Sequence, residues 1–147
     1  MLIQTTINGH VALYLESDLL KVGILPEKGA DIFELIYKSA DRSNDIQFLM
    51  QTPWGLKPPG DQPPLDFLEN YEGGWQELFP NANDRCQYRG QDIPFHGEVA
   101  LLPWQFGVLQ DDANETALHL SVNCERTPFR LERIMRLRRN ESRLLVQ

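Results

Sequence analysis

The feature that most constrains the fold is an alternation of apolar residues with residues of other kinds in several short stretches. In residues 11–15, 20–24 and 118–122, leucine, valine or isoleucine occupies every second position. Successive side chains of a β-strand point to opposite faces, so this two-residue period predicts strands with one buried face. Ser17-Asp18 stands between the first two stretches and predicts a hairpin turn there. The chain is therefore predicted to be all-β.

The remaining apolar segments are less regular, but they also predict strands. Residues 32–37 and 46–50 are apolar enough for central strands, and a regular element is predicted over residues 99–109. Residues 129–138 fit both a helix and one face of a strand. The turn residues that follow them, and the apolar residues 144–146 beyond, favour a strand with a return strand.

A proline-rich segment divides the chain after the first group of strands. Residues 53–64 contain five of the ten prolines. Proline lacks a backbone N–H and fixes its own φ, so a strand ladder cannot run through this segment. It is predicted to be a long surface loop, followed by a single helical turn at residues 67–71.

Length and composition are those of an ordinary globular domain. The chain has 147 residues, enough to bury a core, with 41% hydrophobic and 24% charged residues. No apolar run approaches the roughly 20 residues of a membrane-spanning helix, and the N-terminus lacks the regions of a signal peptide. We therefore expect a cytoplasmic protein with no membrane partner. Cys86 and Cys124 form no CxxC pair and are predicted to be reduced thiols.

Charge is unevenly distributed along the chain. Seven of the 14 Lys and Arg residues are arginines after residue 125, where only Glu132 and Glu141 oppose them, which gives this tail a charge of +5. The first 125 residues carry 7 minus 19, or −12, and the total of −7 repels phosphate over the rest of the surface. No nucleic-acid partner is predicted. The arginines are expected on a solvated strand face or paired with carboxylates.

Residues that carry chemistry are concentrated between Gly73 and Trp104. This segment contains Gly-Gly-Trp-Gln-Glu-Leu-Phe-Pro, then the isolated Arg85, then Pro-Phe-His-Gly-Glu-Val around His96. None of them belongs to a long periodic apolar run. Loops on a rigid scaffold bring side chains together in ways that regular strands cannot, so this segment is predicted to build the functional site.

These motifs resemble the galactose mutarotase-like superfamily, which includes aldose 1-epimerases and hexose-6-phosphate epimerases. The resemblance rests on the Gly-Gly-Trp-Gln-Glu-Leu-Phe-Pro block, the Asn/Arg segment after it, and Pro-Phe-His-Gly-Glu with Trp104 close behind. It implies a β-supersandwich. Family members are about twice as long, so residues 1–147 are predicted to be a single incomplete domain, the N-terminal half of that fold.

The resemblance also implies a function, the interconversion of sugar anomers by acid/base catalysis without a cofactor or metal. Opening and reclosing a hemiacetal needs a base for the anomeric hydroxyl and an acid for the ring oxygen. In the family the acid is a histidine and the base is a glutamate, and both belong to the half that is absent here. His96 resembles the earlier histidine, which hydrogen-bonds the substrate beside the ring oxygen, and it is the catalytic residue predicted in this chain.

Four further residues are predicted to bind the sugar. Arg85 resembles the arginine that family members direct at sugar hydroxyls, or at a phosphate in the hexose-6-phosphate branch. The family usually has Asn directly before this Arg, whereas Asp84 stands there in this chain and Asn83 comes one position earlier. Trp75 and Trp104 offer flat apolar faces for the C–H side of a pyranose, although tryptophan is also common in cores. The partner is thus a small sugar, with phosphorylation left open.

Two other classes and one assembly property remain open at this point. A metal-binding cupin would use His96, Glu98 and His119 as ligands, and a non-catalytic carbohydrate-binding module would keep the cleft without its acid and base. An incomplete sandwich would leave an apolar strand edge in residues 129–146, so self-association through that edge is expected.

Overall fold

The structure, a computed structural model, describes residues 1–60 and 66–147 and is almost entirely antiparallel β. Two short 3-10 turns, Leu68–Asn70 and Val99–Leu101, are the helical elements of this part of the chain. The strands are β1 (Leu2–Ile7), β2 (His10–Glu16), β3 (Leu20–Leu25), β4 (Asp31–Tyr37), β5 (Ile46–Gln47), β6 (Cys86–Tyr88), β7 (Gln91–Ile93), β8 (Gln105–Asp111), β9 (Glu115–Asn123), β10 (Arg130–Arg138) and β11 (Leu144–Val146). No helix in the described ranges is long and apolar enough to cross a bilayer.

The strands form two sheets that pack face to face, and a small separate hairpin. The first sheet has the order β1-β2-β3-β4-β5, the second has the order β11-β10-β9-β8, and β6 pairs with β7. Neighbours in the sheets are consecutive in sequence, so each sheet is a meander of hairpins. Residues 48–104, which connect the sheets, carry the motifs singled out above.

The main core lies between the two sheets and is built from the alternating apolar positions. The first sheet contributes Leu13, Val22 and Ile24, and the second contributes Leu118 and Met135, all with no exposed surface. Full burial of such a side chain stabilises the fold by about 1.5–3 kcal/mol. The prediction of strands in residues 11–15, 20–24 and 118–122 is confirmed, and the strand expected in residues 129–138 is present as Arg130–Arg138.

A second apolar layer covers the outer face of the first sheet. Tyr14 and Phe33 pack edge to face there with ring centroids 5.8 Å apart, and Leu56 packs against them from the segment after β5. Hydrogen bonds hold this segment in place, because Asn8 Nδ2 donates to Leu56 O at 2.8 Å and His10 Nε2 lies 2.9 Å from Lys57 O. Residues 53–60 are a loop without strands, as predicted, and residues 61–64 of that prediction lie outside the described residues.

Two predicted strands are wrong in part. In residues 46–50 only Ile46–Gln47 form a strand, at the sheet edge, and Phe48 is 59% exposed. The side-chain oxygen of Gln47 accepts from the Leu35 N–H at 2.9 Å and so replaces a ladder bond with a side-chain bond. Residues 99–109 are not one element either, because Pro103 cannot donate to a ladder and separates the 3-10 turn from β8.

The sequence reading did not predict β1 or the β6–β7 hairpin. Asn-Gly is a preferred pair for a type I′ hairpin turn, so Asn8-Gly9 was a sequence indication of β1. Both residues have the positive φ that this turn requires, 48° and 88°. Arg89-Gly90 gives β6–β7 the same geometry, with φ of 49° and 80°.

Candidate functional site

The Gly73-Gly74 pair places the motif segment directly against the first sheet. The Gly74 N–H donates to Met50 O at 2.8 Å, and a Cβ added at Gly73 would lie 2.2 Å from the same oxygen. Both glycines have positive φ. The pair therefore allows a close backbone approach that a side chain would block. Trp75 then exchanges two backbone hydrogen bonds of 2.9 Å with Ile32 of β4.

His96 is held in an unusual backbone conformation by the loop after Pro80. Its φ is 64°, in the left-handed region that few residues other than glycine adopt. The backbone N–H donates to Asn83 O at 3.0 Å, and Nδ1 of the ring lies 2.7 Å from Ala82 O. A carbonyl oxygen can only accept, so Nδ1 carries the proton. In the neutral ring Nε2 is then an acceptor, and it has no hydrogen-bond partner among the residues described.

Aromatic rings form the wall beside His96. The ring of Phe95 lies 3.7 Å from the imidazole between centroids, and Phe67 meets it edge-on at 4.8 Å. Tyr71 stacks on Phe67 at 5.5 Å. The half-buried histidine therefore has an apolar wall on one side, an arrangement that suits the mixed polar and apolar surface of a sugar.

Arg85 is connected to His96 through two consecutive residues, Asp66 and Phe67. Its guanidinium is 72% exposed and lies 3.8 Å from the carboxylate of Asp66, whereas the next residue, Phe67, contains the ring that contacts His96. Two consecutive residues thus touch the two predicted site residues. An ion pair this exposed contributes little to stability, so Arg85 is available to a ligand.

The other predicted sugar contacts lie in different surroundings. Asn83 is exposed and its carbonyl accepts from the His96 N–H, so it belongs to the loop beside the histidine. Trp75 is 44% exposed and retains an open face. Trp104 is only 4% exposed, its indole N–H donates to Val99 O at 3.0 Å, and the Arg133 guanidinium lies 5.2 Å from its ring centroid. A ring in this position packs in the core, and we do not include Trp104 in the proposed sugar site.

Asn81 was not predicted, although it is the organising residue of the loop. Its side-chain NH2 faces three backbone carbonyls, those of Asp84 at 2.9 Å, Pro94 at 3.1 Å and Asn83 at 3.3 Å. One side chain therefore connects the segment of Arg85 with the segment of His96.

A buried group of charges beneath the site was also missed. Lys28 and Asp31 are 6% and 1% exposed and form an ion pair of 2.7 Å, and Glu72 pairs with the same lysine from the other side. Arg133 enters from β10, donates to Ala30 O, and lies 3.7 Å from the Glu77 carboxylate. Charged residues at nearly complete burial are rare unless they are paired, but single-sequence reading does not show which ones meet.

Burial and charge pairing both shift the pKa values of this group. Burial raises the pKa of Asp31 to about 7, against the opposing attraction of Lys28, and the neighbouring charge of Glu72 adds to the rise. The pKa of Lys28 is raised because the attraction of Asp31 and Glu72 outweighs the effect of burial. Burial lowers the pKa of Arg133.

The residues considered for a cupin-type metal site have other roles. Glu98 is 3% exposed and accepts the N–H groups of Glu125 and Arg126, at 2.7 and 2.9 Å, and the hydroxyl of Thr127 at 2.9 Å. His119 lies on β9, 3.7 Å from the carboxylate of Glu132. Within residues 1–60 and 66–147, no three His, Cys, Asp or Glu side chains are placed to hold a metal ion.

The arginine-rich tail pairs with carboxylates, as expected. Arg136 and Arg138 both lie near Glu115, at 2.8 and 3.6 Å, and Arg138 and Arg143 both contact Glu141. The tail is therefore part of the second sheet and its turn.

Comparison with known proteins bears on the fold. No protein-family model matches the sequence, and no match was found among the curated proteins. The crystal structure of YeaD, a candidate mutarotase from Salmonella typhimurium, is similar to the chain with a TM-score of 0.63 and 15% sequence identity. The fold is mutarotase-like. The predicted all-β architecture of this type is thus confirmed.

The similarity spans 93% of this chain but 42% of YeaD. The chain therefore corresponds to less than half of that protein. At this identity the comparison concerns the fold alone.

Proposed function

We propose that this chain binds a sugar between His96 and Arg85 and belongs to a mutarotase-like protein that interconverts sugar anomers. The proposal rests on two contacts made by consecutive residues. Asp66 contacts Arg85, and Phe67 contacts His96. These contacts support a ligand site that combines an acceptor nitrogen, a five-donor guanidinium and an aromatic wall. The mutarotase-like fold supports the same ligand class.

The chemistry assigned to these residues follows from their hydrogen-bonding groups. With Nδ1 donating to Ala82 O, His96 accepts a hydrogen bond from a sugar hydroxyl through Nε2, and the Arg85 guanidinium donates to hydroxyl or phosphate oxygens. Ring opening needs a base and an acid, and these two residues supply at most one of them. The proposal therefore places the second proton-transfer group, with the acid histidine and base glutamate of the resemblance, in the further half of a complete domain.

A non-catalytic sugar-binding module is the second candidate. Glu98 is the carboxylate nearest to His96 in the sequence, and three protein donors already occupy its oxygens. Because Glu98 is thus engaged, it does not serve as a second proton-transfer group beside His96, which favours this candidate. In that case the chain would bind the sugar without interconverting its anomers.

Sugar binding and turnover are tested on the same sample. We expect saturable chemical-shift changes at Phe67, Tyr71 and His96 on titration with galactose, glucose or glucose 6-phosphate. Arg85→Ala and His96→Ala should each weaken binding about tenfold, the loss of about 1.4 kcal/mol. Arg143→Ala and His119→Ala are the matched controls, since Arg143 is similarly exposed at 63% and His119 lies on β9.

Polarimetry of pure α-anomers separates the two candidate functions. We expect no mutarotation above the buffer rate from residues 1–147. In a longer form with the further half, His96→Ala and Arg85→Ala should slow conversion more than they lower stability. Rapid conversion by the 147-residue chain would contradict the proposal that the second proton-transfer group lies in the further half. An absence of sugar binding would contradict the proposed sugar site.

A further inference from the structure

We infer that Asn81 is a positioning residue that makes His96 a hydrogen-bond acceptor toward its ligand. The part of this inference that concerns the ligand rests on the proposed sugar site. The part that concerns the imidazole rests on the hydrogen bonds of the loop alone, so the two can fail separately.

The orientation of the Asn81 amide is fixed by its surroundings. Its NH2 group has two hydrogens and faces three carbonyl oxygens, at 2.9, 3.1 and 3.3 Å. The side-chain oxygen is buried and has no partner among the described residues. If the amide were turned over, this oxygen would face three other acceptors without a hydrogen between them, so only the observed orientation is stable.

The carbonyls that Asn81 holds are linked to His96. Asn83 O accepts from Asn81 and also from the His96 N–H at 3.0 Å. Pro94 O accepts from Asn81 two residues before His96. Ala82, which is directly attached to Asn81, provides the oxygen that Nδ1 of the imidazole meets at 2.7 Å. Asn81 thus fixes peptide groups in the loop that hydrogen-bonds to His96 and in the segment that leads into it.

This arrangement selects one tautomer of the neutral imidazole. With Ala82 O held in place, a lone pair on Nδ1 would face a lone pair of the carbonyl oxygen, so the proton stays on Nδ1. Nε2 is then unprotonated and faces the ligand. In metal sites, a fixed hydrogen bond at one ring nitrogen of a histidine determines in the same way whether the other nitrogen donates or accepts.

The consequence for the ligand is a specific chemical class. A lone pair on Nε2 accepts from a hydroxyl group and repels a phosphate or carboxylate oxygen. An anionic group on the sugar is therefore directed to Arg85, and the group at His96 must be a neutral hydroxyl. The site selects a polyhydroxylated ring, with or without a distant phosphate.

The first experiment measures the tautomer without any ligand. In the wild-type chain, 15N-detected NMR of the imidazoles above their titration range should show His96 protonated on Nδ1. Asn81→Asp keeps the shape of the side chain but removes its donors and adds a negative charge beside three carbonyls. We expect this variant, and the uncharged Asn81→Ala, to give a mixture of tautomers. Asn140→Asp, at an exposed turn, is the matched control and should leave His96 unchanged.

The second experiment measures binding in the same variants. Galactose should bind to Asn81→Asp about tenfold more weakly than to the wild type, a difference of about 1.4 kcal/mol. If the tautomer mixture appears while no variant binds sugar, the positioning role stands and the proposed sugar site fails. If sugar binds equally to the wild type and to Asn81→Ala with an unchanged tautomer, the positioning role is overturned. Protonation of Nε2 in the neutral wild-type ring would overturn it directly, whether or not the variants fold.

Discussion

At the scale of single residues, the chain places ionisable groups in its interior and pairs them closely. Asp31 and Lys28 are almost completely buried beside Glu72, and Arg133 lies between Trp104 and Ala30. Removing one partner of such a group leaves an uncompensated charge, which costs more than the pair gains by forming. The titration of these residues should therefore be visible in the stability of the whole fold.

The first prediction concerns Asp31. Its pKa is raised by burial to about 7 in the folded chain, so its contribution to stability is present below its unfolded pKa and is lost as pH rises through about 7. Asp31→Asn removes this dependence. We expect the free energy of unfolding of the variant, relative to the wild type, to increase between about pH 4 and about pH 7 by a few kcal/mol, at about 1.4 kcal/mol for each pH unit.

Urea unfolding across that pH range provides the measurement. The control is Asp18→Asn, which makes the same chemical change at an exposed position. Parallel stability curves for the wild type and Asp31→Asn would contradict the raised pKa.

The second prediction concerns Glu98, which we assign to structure. Glu98→Gln replaces a carboxylate that accepts two N–H groups and one hydroxyl, and it should lower the free energy of unfolding by about 2–4 kcal/mol. Denaturant unfolding measures this loss. Glu125→Gln, an exposed change in the same turn, should have little effect, and equal stability of the two variants would argue against the role of Glu98.

At the scale of elements, the strands with a clear two-residue period were predictable, and those determined by turns were not. The period identified β2, β3 and β9 because it directly reports burial on one face. The length and burial of β5 were overestimated because its side chains resemble those of a central strand. Their exposure depends on what lies beside the sheet. Of the residues in the proposed site, His96 and Arg85 were predicted from motifs. The burial of Trp104 and the hydrogen bonds of Asn81 depend on tertiary contacts that no local pattern contains.

The third prediction tests a close contact between two loop segments. Gly97 and Gly90 both have φ of 80°, but a Cβ at Gly97 would lie 2.1 Å from Phe79 O, whereas a Cβ at Gly90 would meet nothing within 4 Å. Gly90→Ala thus isolates the cost of the backbone conformation, about 1–2 kcal/mol. We expect Gly97→Ala to cost at least about 2 kcal/mol more, since a backbone carbonyl must move. Thermal unfolding of both variants measures the difference, and equal costs would show that the contact relaxes freely.

At the scale of the whole molecule, the second sheet has two open edges within the described residues. β8 forms one edge, where Val108 and Leu109 are each 52% exposed, and β11 forms the other, where Leu145 is 37% exposed. Strand edges with exposed apolar side chains pair readily with other strands.

The fourth prediction is that the 147-residue chain self-associates through the edge formed by β11. Light scattering should show a mass that rises with concentration, and Leu145→Lys should reduce it, because a charge on an edge strand opposes pairing. Val108→Lys at the opposite edge is the comparison. A reduction with Val108→Lys alone would move the contact to β8, and a monomer at all concentrations would contradict the prediction.

The positions of the three tryptophans have a spectroscopic consequence. Trp104 is enclosed by the core beneath a guanidinium, whereas Trp54 and Trp75 are 60% and 44% exposed. Emission from the folded chain should therefore contain a blue component that acrylamide does not reach and a red component that it quenches. The blue component reports the integrity of the sandwich. The red component reports events at the surface, so one optical experiment can follow folding and surface binding as separate signals.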